Sequence, residues 1–157
     1  MGTFIMGTRS TYRVIEKGVH EGKSRKNMFV LLYLQFDGYP SGHPSETAEW
    51  LAKGQVVNGL SCDQPELVFN GTGCLAAQLV ARHKTEAGGA YLYPMKSRGR
   101  CGEDYCYDIV VDETTKTIEY IAYDVTGGWS GKPLRFKKLF SGAPADFAAW
   151  VKKRDGE

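Results

Sequence analysis

From residue 27 to 36 (NMFVLLYLQF) the chain is apolar at nearly every position, and branched and aromatic side chains dominate. That pattern predicts a strand buried on both faces, near the middle of a sheet. Residues 11–16 (TYRVIE) read as an earlier strand. The polar, basic stretch between them, KGVHEGKSRKN, reads as a hairpin loop with glycines at Gly18 and Gly22. Asp37-Gly38 and Pro40-Ser41-Gly42 then break the pattern. Aspartate bonds its own downstream backbone, proline presets φ, and glycine takes the positive φ of tight turns. Pro44 suits the first turn of a helix, Ala48, Trp50, Leu51 and Ala52 supply an apolar side, and Gly54 ends it.

Residues 55–59 (QVVNG) predict a short strand or extended link. SCDQPELVFNGTG is loop, with 67–69 extended. Thr72 is placed to cap a helix over 73–84, apolar nearly all round and therefore expected to be central and buried. Gly88-Gly89 stops it. Strands are predicted over 90–93, 104–111 and 117–125, the last two joined by a DETTK turn. Alternation places Tyr105, Tyr107, Ile109 and Val111 on one face, with Cys106, Asp108 and Val110 on the other. A glycine-rich loop (GGWSG) precedes a final strand over 134–140. An amphipathic helix over 144–153 ends the pattern, with Phe147, Trp150 and Val151 facing the core. Trp50 and Trp150 are expected to be largely buried anchors. SGHPSETAEWLAK (41–53) and SGAPADFAAWVKK (141–153) share residues at matching offsets. Helix-start chemistry explains the echo without a duplication, since nothing else repeats at that period. The predicted fold is α+β, a mainly antiparallel sheet of about five or six strands with helices packed on one face.

Composition narrows the function classes. The 157 residues fit one domain spanning 1–157, and the net charge is only +2. A long nucleic-acid duplex is therefore a poor partner. The longest apolar run, 28–34, is far too short to cross a bilayer, and the N-terminus lacks the pattern of an export signal. A cytoplasmic location is expected, with Cys62, Cys74, Cys101 and Cys106 as free thiols.

Six motifs in fixed order carry a resemblance: GTR at 7–9, QFDGYPSG at 35–42, VVNG at 56–59, NGTGCLAAQLVARHK at 70–84, and GGAYLYP followed by EDYCYDI. Together they resemble a family of small, uncharacterised bacteriophage and prophage proteins over roughly residues 6–109. The resemblance implies no activity for particular residues. It implies a context: accessory genes expressed in a bacterial host cell, many of which interfere with host defence. The family-like start at Met6 makes residues 1–5 an upstream extension.

Three sites compete for the chemistry. Cys74 stands at a helix start, where exposed N–H groups favour a thiolate. With His43 as base and Asp37 as orienter it would make a small cysteine hydrolase, but no histidine follows His83 in the chain. Packing alone also explains a small residue there. Metal binding finds no second pair to match Cys101 and Cys106, so no metal or other cofactor is expected. The remaining site is a ligand surface. Tyr91 and Tyr93 precede Lys96, Arg98 and Arg100, and Tyr105 and Tyr107 follow. Rings beside guanidinium groups stack a base and hold phosphates. In the turn, Tyr39, Ser41 and His43 exceed what the backbone needs and are expected to point outward. The preferred function is thus non-enzymatic binding of a host protein or an anionic nucleotide ligand through Tyr39 and His43 or through the basic, tyrosine-rich surface.

Overall fold

The computed structural model describes residues 7–129 and 131–156, so the extension expected at 1–5 lies outside the described residues. Two long strands, β1 (Ser10–His20) and β2 (Lys23–Leu34), form an antiparallel hairpin. The stretch expected to be loop is therefore mostly ladder, and only Glu21 and Gly22 turn. Both have positive φ, 52° and 75°. Two successive positive φ values match the right-handed twist of the flanking strands, which lets so short a connection close the hairpin. The polar side chains of residues 17–27 concealed this because the hairpin end projects into solvent, where neither face needs apolar residues.

The chain continues through α1 (His43–Lys53), β3 (Gln55–Val57), β4 (Val68–Asn70) and α2 (Gly71–His83). Then come β5 (Ala90–Leu92), β6 (Tyr105–Asp112), β7 (Thr117–Thr126), β8 (Arg135–Gly142) and α3 (Pro144–Asp155). The six-stranded sheet has the order β5-β2-β1-β6-β7-β8, and β3 and β4 make a separate two-stranded parallel pair. Within the large sheet β1 and β6 run parallel and every other neighbouring pair is antiparallel. The fold is α+β, with a mainly antiparallel sheet.

The helices share one face of the sheet. Its inward residues are Tyr12 and Val14 of β1, Leu32 and Leu34 of β2, Tyr107 and Ile109 of β6, and Tyr120 of β7. They join Leu51 of α1, Leu75 and Leu79 of α2, and Phe147 of α3 in a single core. Thr11, Leu31, Tyr33, Cys106 and Asp108 point to the other face and are also buried. That face is covered by the segment after β5. Its one-turn 3₁₀ helix (Met95–Ser97) leads to Glu103, which is bonded to Thr11.

Two packing expectations need correction. α2 buries only Thr72, Leu75, Ala76 and Leu79, so it is one-sided; its other small residues, Gly73, Ala77 and Ala81, face solvent at little cost. Trp50 and Trp150 are half-buried at the rim of the core. Each lends a face to an arginine, Arg82 over Trp50 at 5.2 Å and Arg154 over Trp150 at 5.3 Å. The deep anchor of α3 is Phe147, whose ring meets Tyr120 at 4.8 Å, Phe140 at 5.2 Å and Trp150 at 5.5 Å. Phe147→Ala should cost about 3–5 kcal/mol, because the helix cannot collapse into the void. Trp150→Ala should cost less. Urea unfolding of both variants checks this, and the reverse order would contradict the assignment of Phe147 as the anchor.

Candidate ligand surface

The strand–turn–helix segment at 35–47 is held from below by three tyrosine hydroxyls, one from each of three adjacent strands. Tyr107 of β6 donates to the Gly38 carbonyl at 2.7 Å, and Tyr120 of β7 to the Pro44 carbonyl at 3.0 Å. Tyr12 of β1 donates to Thr47 Oγ1 at 3.2 Å and meets His43 Nδ1 at 2.8 Å. All three side chains are fully buried. Burial pushes all three phenols up, so they act here as neutral hydrogen-bonding groups. Gly42 is required sterically, since a Cβ there would run into the Asp37 carbonyl oxygen. Asp37 itself takes φ 57° and stays exposed.

His43 consequently does not present its ring outward as expected. Its Nε2 lies 3.4 Å from Ser10 Oγ, and its ring centroid is 5.5 Å from that of His83 at the end of α2. His83 stacks on Tyr12 at 5.6 Å, and its Nε2 meets Thr47 Oγ1 at 3.2 Å. His43, Tyr12, Thr47 and His83 thus form one hydrogen-bonded chain. That chain uses both imidazoles in neutral form. Desolvation, with His83 nearby, pulls His43 down to about 3, and desolvation beside Arg82 pulls His83 down to about 4. The network is a structural joint between β1, α1 and α2. Of the expected turn surface, Tyr39 and Ser41 remain exposed; His43 leaves it.

Cys74 and His43 are not brought together. His43 packs at the His83 end of α2, and His83 lies nine helical positions beyond Cys74, roughly 13 Å along the axis. Cys74 Sγ instead donates to Gln78 Oε1 at 3.3 Å. The start of α2 is already occupied by a carboxylate: Glu113 Oε1 accepts from the Thr72 N–H at 2.9 Å and from the Thr72 hydroxyl at 2.6 Å. Thr72 thus sits within the helix rather than capping it. Cys101 and Cys106 are poor nucleophiles. Desolvation pushes Cys101 up to about 11 and Cys106 up to about 12. Among the described residues no cluster of three or more metal-ligating side chains occurs.

The basic, tyrosine-rich surface survives in altered form. Arg98 is withdrawn from it. Its guanidinium pairs with buried Asp108 at 3.3 Å and lies 4.5 Å from the Phe136 ring centre and 5.2 Å from that of Tyr123. Arg13 binds the same carboxylate in bidentate fashion at 2.6 and 2.9 Å. Glu103 accepts from Thr11 Oγ1 at 3.0 Å and from the N–H groups of Gly99 and Cys101 at 3.0 and 2.9 Å. Arg98 and Glu103 therefore fasten the 94–104 segment to the sheet. Lys96 and Arg100 remain exposed on it. Tyr107 belongs to the core, and Tyr105 stacks against it at 6.3 Å, so neither joins the surface.

Tyr91 and Tyr93 lie on the edge strand, 45% and 41% exposed. Both surround Tyr33, at ring separations of 6.2 and 5.5 Å. Cross-strand register explains this, since Tyr33 pairs with Tyr91 and the Tyr93 N–H bonds the Leu31 carbonyl. Two cations missed in the sequence complete the group. Lys84 Nζ lies 5.4 Å from the Tyr91 ring centre. Burial pushes the Tyr33 phenol up while the neighbouring Arg9 guanidinium pulls the other way. The only advance signal for Arg9 is its place in the GTR motif, while Lys84 ends the helical run.

The histidine joint generates a pH prediction. Both folded-state values lie below the ordinary 6.5, so between them the unfolded chain binds more protons. The joint's stability is complete above pH 6.5 and is lost as pH falls toward 4 and 3. Each histidine adds a slope of up to about 1.4 kcal/mol per pH unit. Urea unfolding from pH 7.5 to 4.5 should show this slope, and it should flatten in His83→Gln and in His43→Gln. An unchanged slope in both variants would contradict the assignment. Compared with family models, curated proteins and solved structures, the chain matches none.

Proposed function

We propose that this is a non-enzymatic accessory binding protein of the phage type, acting in the cytoplasm of a bacterial host cell. It holds an anionic, base-bearing ligand, a nucleotide signal, against the tyrosines of the β5 edge. Removing such a ligand from solution would blunt a host defence that depends on it. One observation carries the reading: Tyr91 and Tyr93 stay partly exposed around Tyr33 although the adjoining segment is closely fastened. Exposed rings held in fixed orientations offer stacking faces at little entropic cost. Lys84, Lys96, Arg100 and Arg9 supply positive charge from the flanking segments. Against a cysteine hydrolase stand the distance between Cys74 and His43 and the tying of His43 into the joint below the turn.

Calorimetric titration with a panel of mononucleotides, dinucleotides and cyclic nucleotides tests the proposal. For the nucleotide that binds, Tyr91→Ala and Tyr93→Ala should each weaken affinity by about 1–3 kcal/mol. Lys96→Ala combined with Arg100→Ala should weaken it and make it less sensitive to added salt. Folding should barely change in that double variant, because exposed charges contribute little. If no nucleotide binds, or if all these variants bind as the native protein does while Tyr39→Ala abolishes binding, the assignment to the β5 edge fails.

A further inference from the structure

The opposite edge of the sheet is built differently. β8 ends the strand order, and among the described residues nothing pairs with its outer side. From residue 125 to 145 the sequence contains no acidic residue but includes Lys132, Arg135, Lys137 and Lys138. All four cations are exposed, and none takes part in an ion pair among the described residues. Asp124 stands across the ladder from Lys137 without pairing with it. A register shift between Ala122 and Tyr123 divides the strand, leaving Arg135 to Lys138 as its regular half. Alternation puts Arg135 and Lys137 on one face there, and Phe136 and Lys138 on the other.

An open edge with free N–H and C=O groups is a template for a further strand. Lysines on such an edge discourage self-pairing, and two copies of β8 would set like charges across the ladder. The same charges select a partner of opposite sign. The first half of β2 is also open and basic, but Glu16 and Glu21 lie on the same hairpin, and Glu16 accepts from Asn27.

We propose that the β8 edge docks an extended acidic segment of a partner protein, which adds to the sheet as a further strand. Main-chain hydrogen bonds hold the segment, and carboxylates at alternate positions meet Arg135 and Lys137. The proposal does not rest on the tyrosine surface.

Hydrogen exchange read by mass spectrometry tests it, with an alternating glutamate–valine peptide as probe. The peptide should slow exchange across Arg135–Gly142, and the variant R135E/K137E should weaken binding by roughly tenfold or more. A glutamate–proline peptide of equal charge, which cannot complete the ladder, should give neither binding of similar strength nor protection. The proposal is overturned if the first peptide leaves β8 exchange unchanged or if the proline peptide binds equally well. Equal protection by a short single-stranded DNA, or by self-association of the protein, would also overturn it.

Discussion

Three phenol groups that must find acceptors inside a dry core set the terms for the rest of this structure. Tyr12, Tyr107 and Tyr120 stand on neighbouring strands, with Tyr12 and Tyr107 in register. Their rings lie 5.4 and 5.9 Å apart in sequence along the sheet. A buried hydroxyl without a partner costs about 1–3 kcal/mol. Each therefore needs something above it, and the turn at 37–47 supplies two carbonyls and a threonine. The turn's tight glycine, its early proline and its inward histidine place those acceptors over the rings. A segment that looks like a display loop is in effect a lid on the tyrosine row.

The two faces of the sheet divide the work in consequence. The helical face spends its polar groups on internal closure, ending in two neutral imidazoles. The other face is closed by a short irregular segment that needs ionic fastening, because it has few apolar side chains to bury. Two buried carboxylates do this: Asp108 takes two guanidinium groups, and Glu103 accepts from Thr11 and from the N–H groups of Gly99 and Cys101. The stacking tyrosines lie beside that closure, on a strand of three residues. So short an edge offers rings to a ligand while presenting little backbone to an incoming strand.

Much of the fold was legible because its signals are local. The apolar run before residue 35 marked a strand, though only Leu31–Leu34 are buried on both faces and Met28 and Phe29 are exposed. The prolines opening α1 and α3 and the alternation in β6 and β7 likewise act within one element. What could not be read is non-local. Nothing in residues 11–16 says that their second neighbour is β6, joined in parallel far along the chain. The meeting of His43 with His83 depends on that packing, as does the capture of Arg98 by Asp108. Sequence could mark Arg98 as one of three cations but could not show which one an acid would claim. The hairpin turn was hidden for a different reason: glutamate is an uncommon occupant of a positive-φ position, so the Glu21-Gly22 pair carried no familiar turn signature.

The lone parallel pairing in the main sheet bears on how the protein emerges from a ribosome. The hairpin, α1 and α2 are all synthesised before β6 exists, yet the acceptors at Gly38 and Pro44 wait for donors 69 and 76 residues downstream. Until then the inner face of the first hairpin has no neighbour on one side, and the turn lacks two of its three tyrosine anchors. Contacts so distant in sequence tend to form late and slowly. The nascent N-terminal half thus carries an apolar strand and an incomplete sheet edge through the interval in which aggregation competes with folding. Arg13, Glu16 and Lys17 of β1 keep that edge charged while the chain waits for its second half.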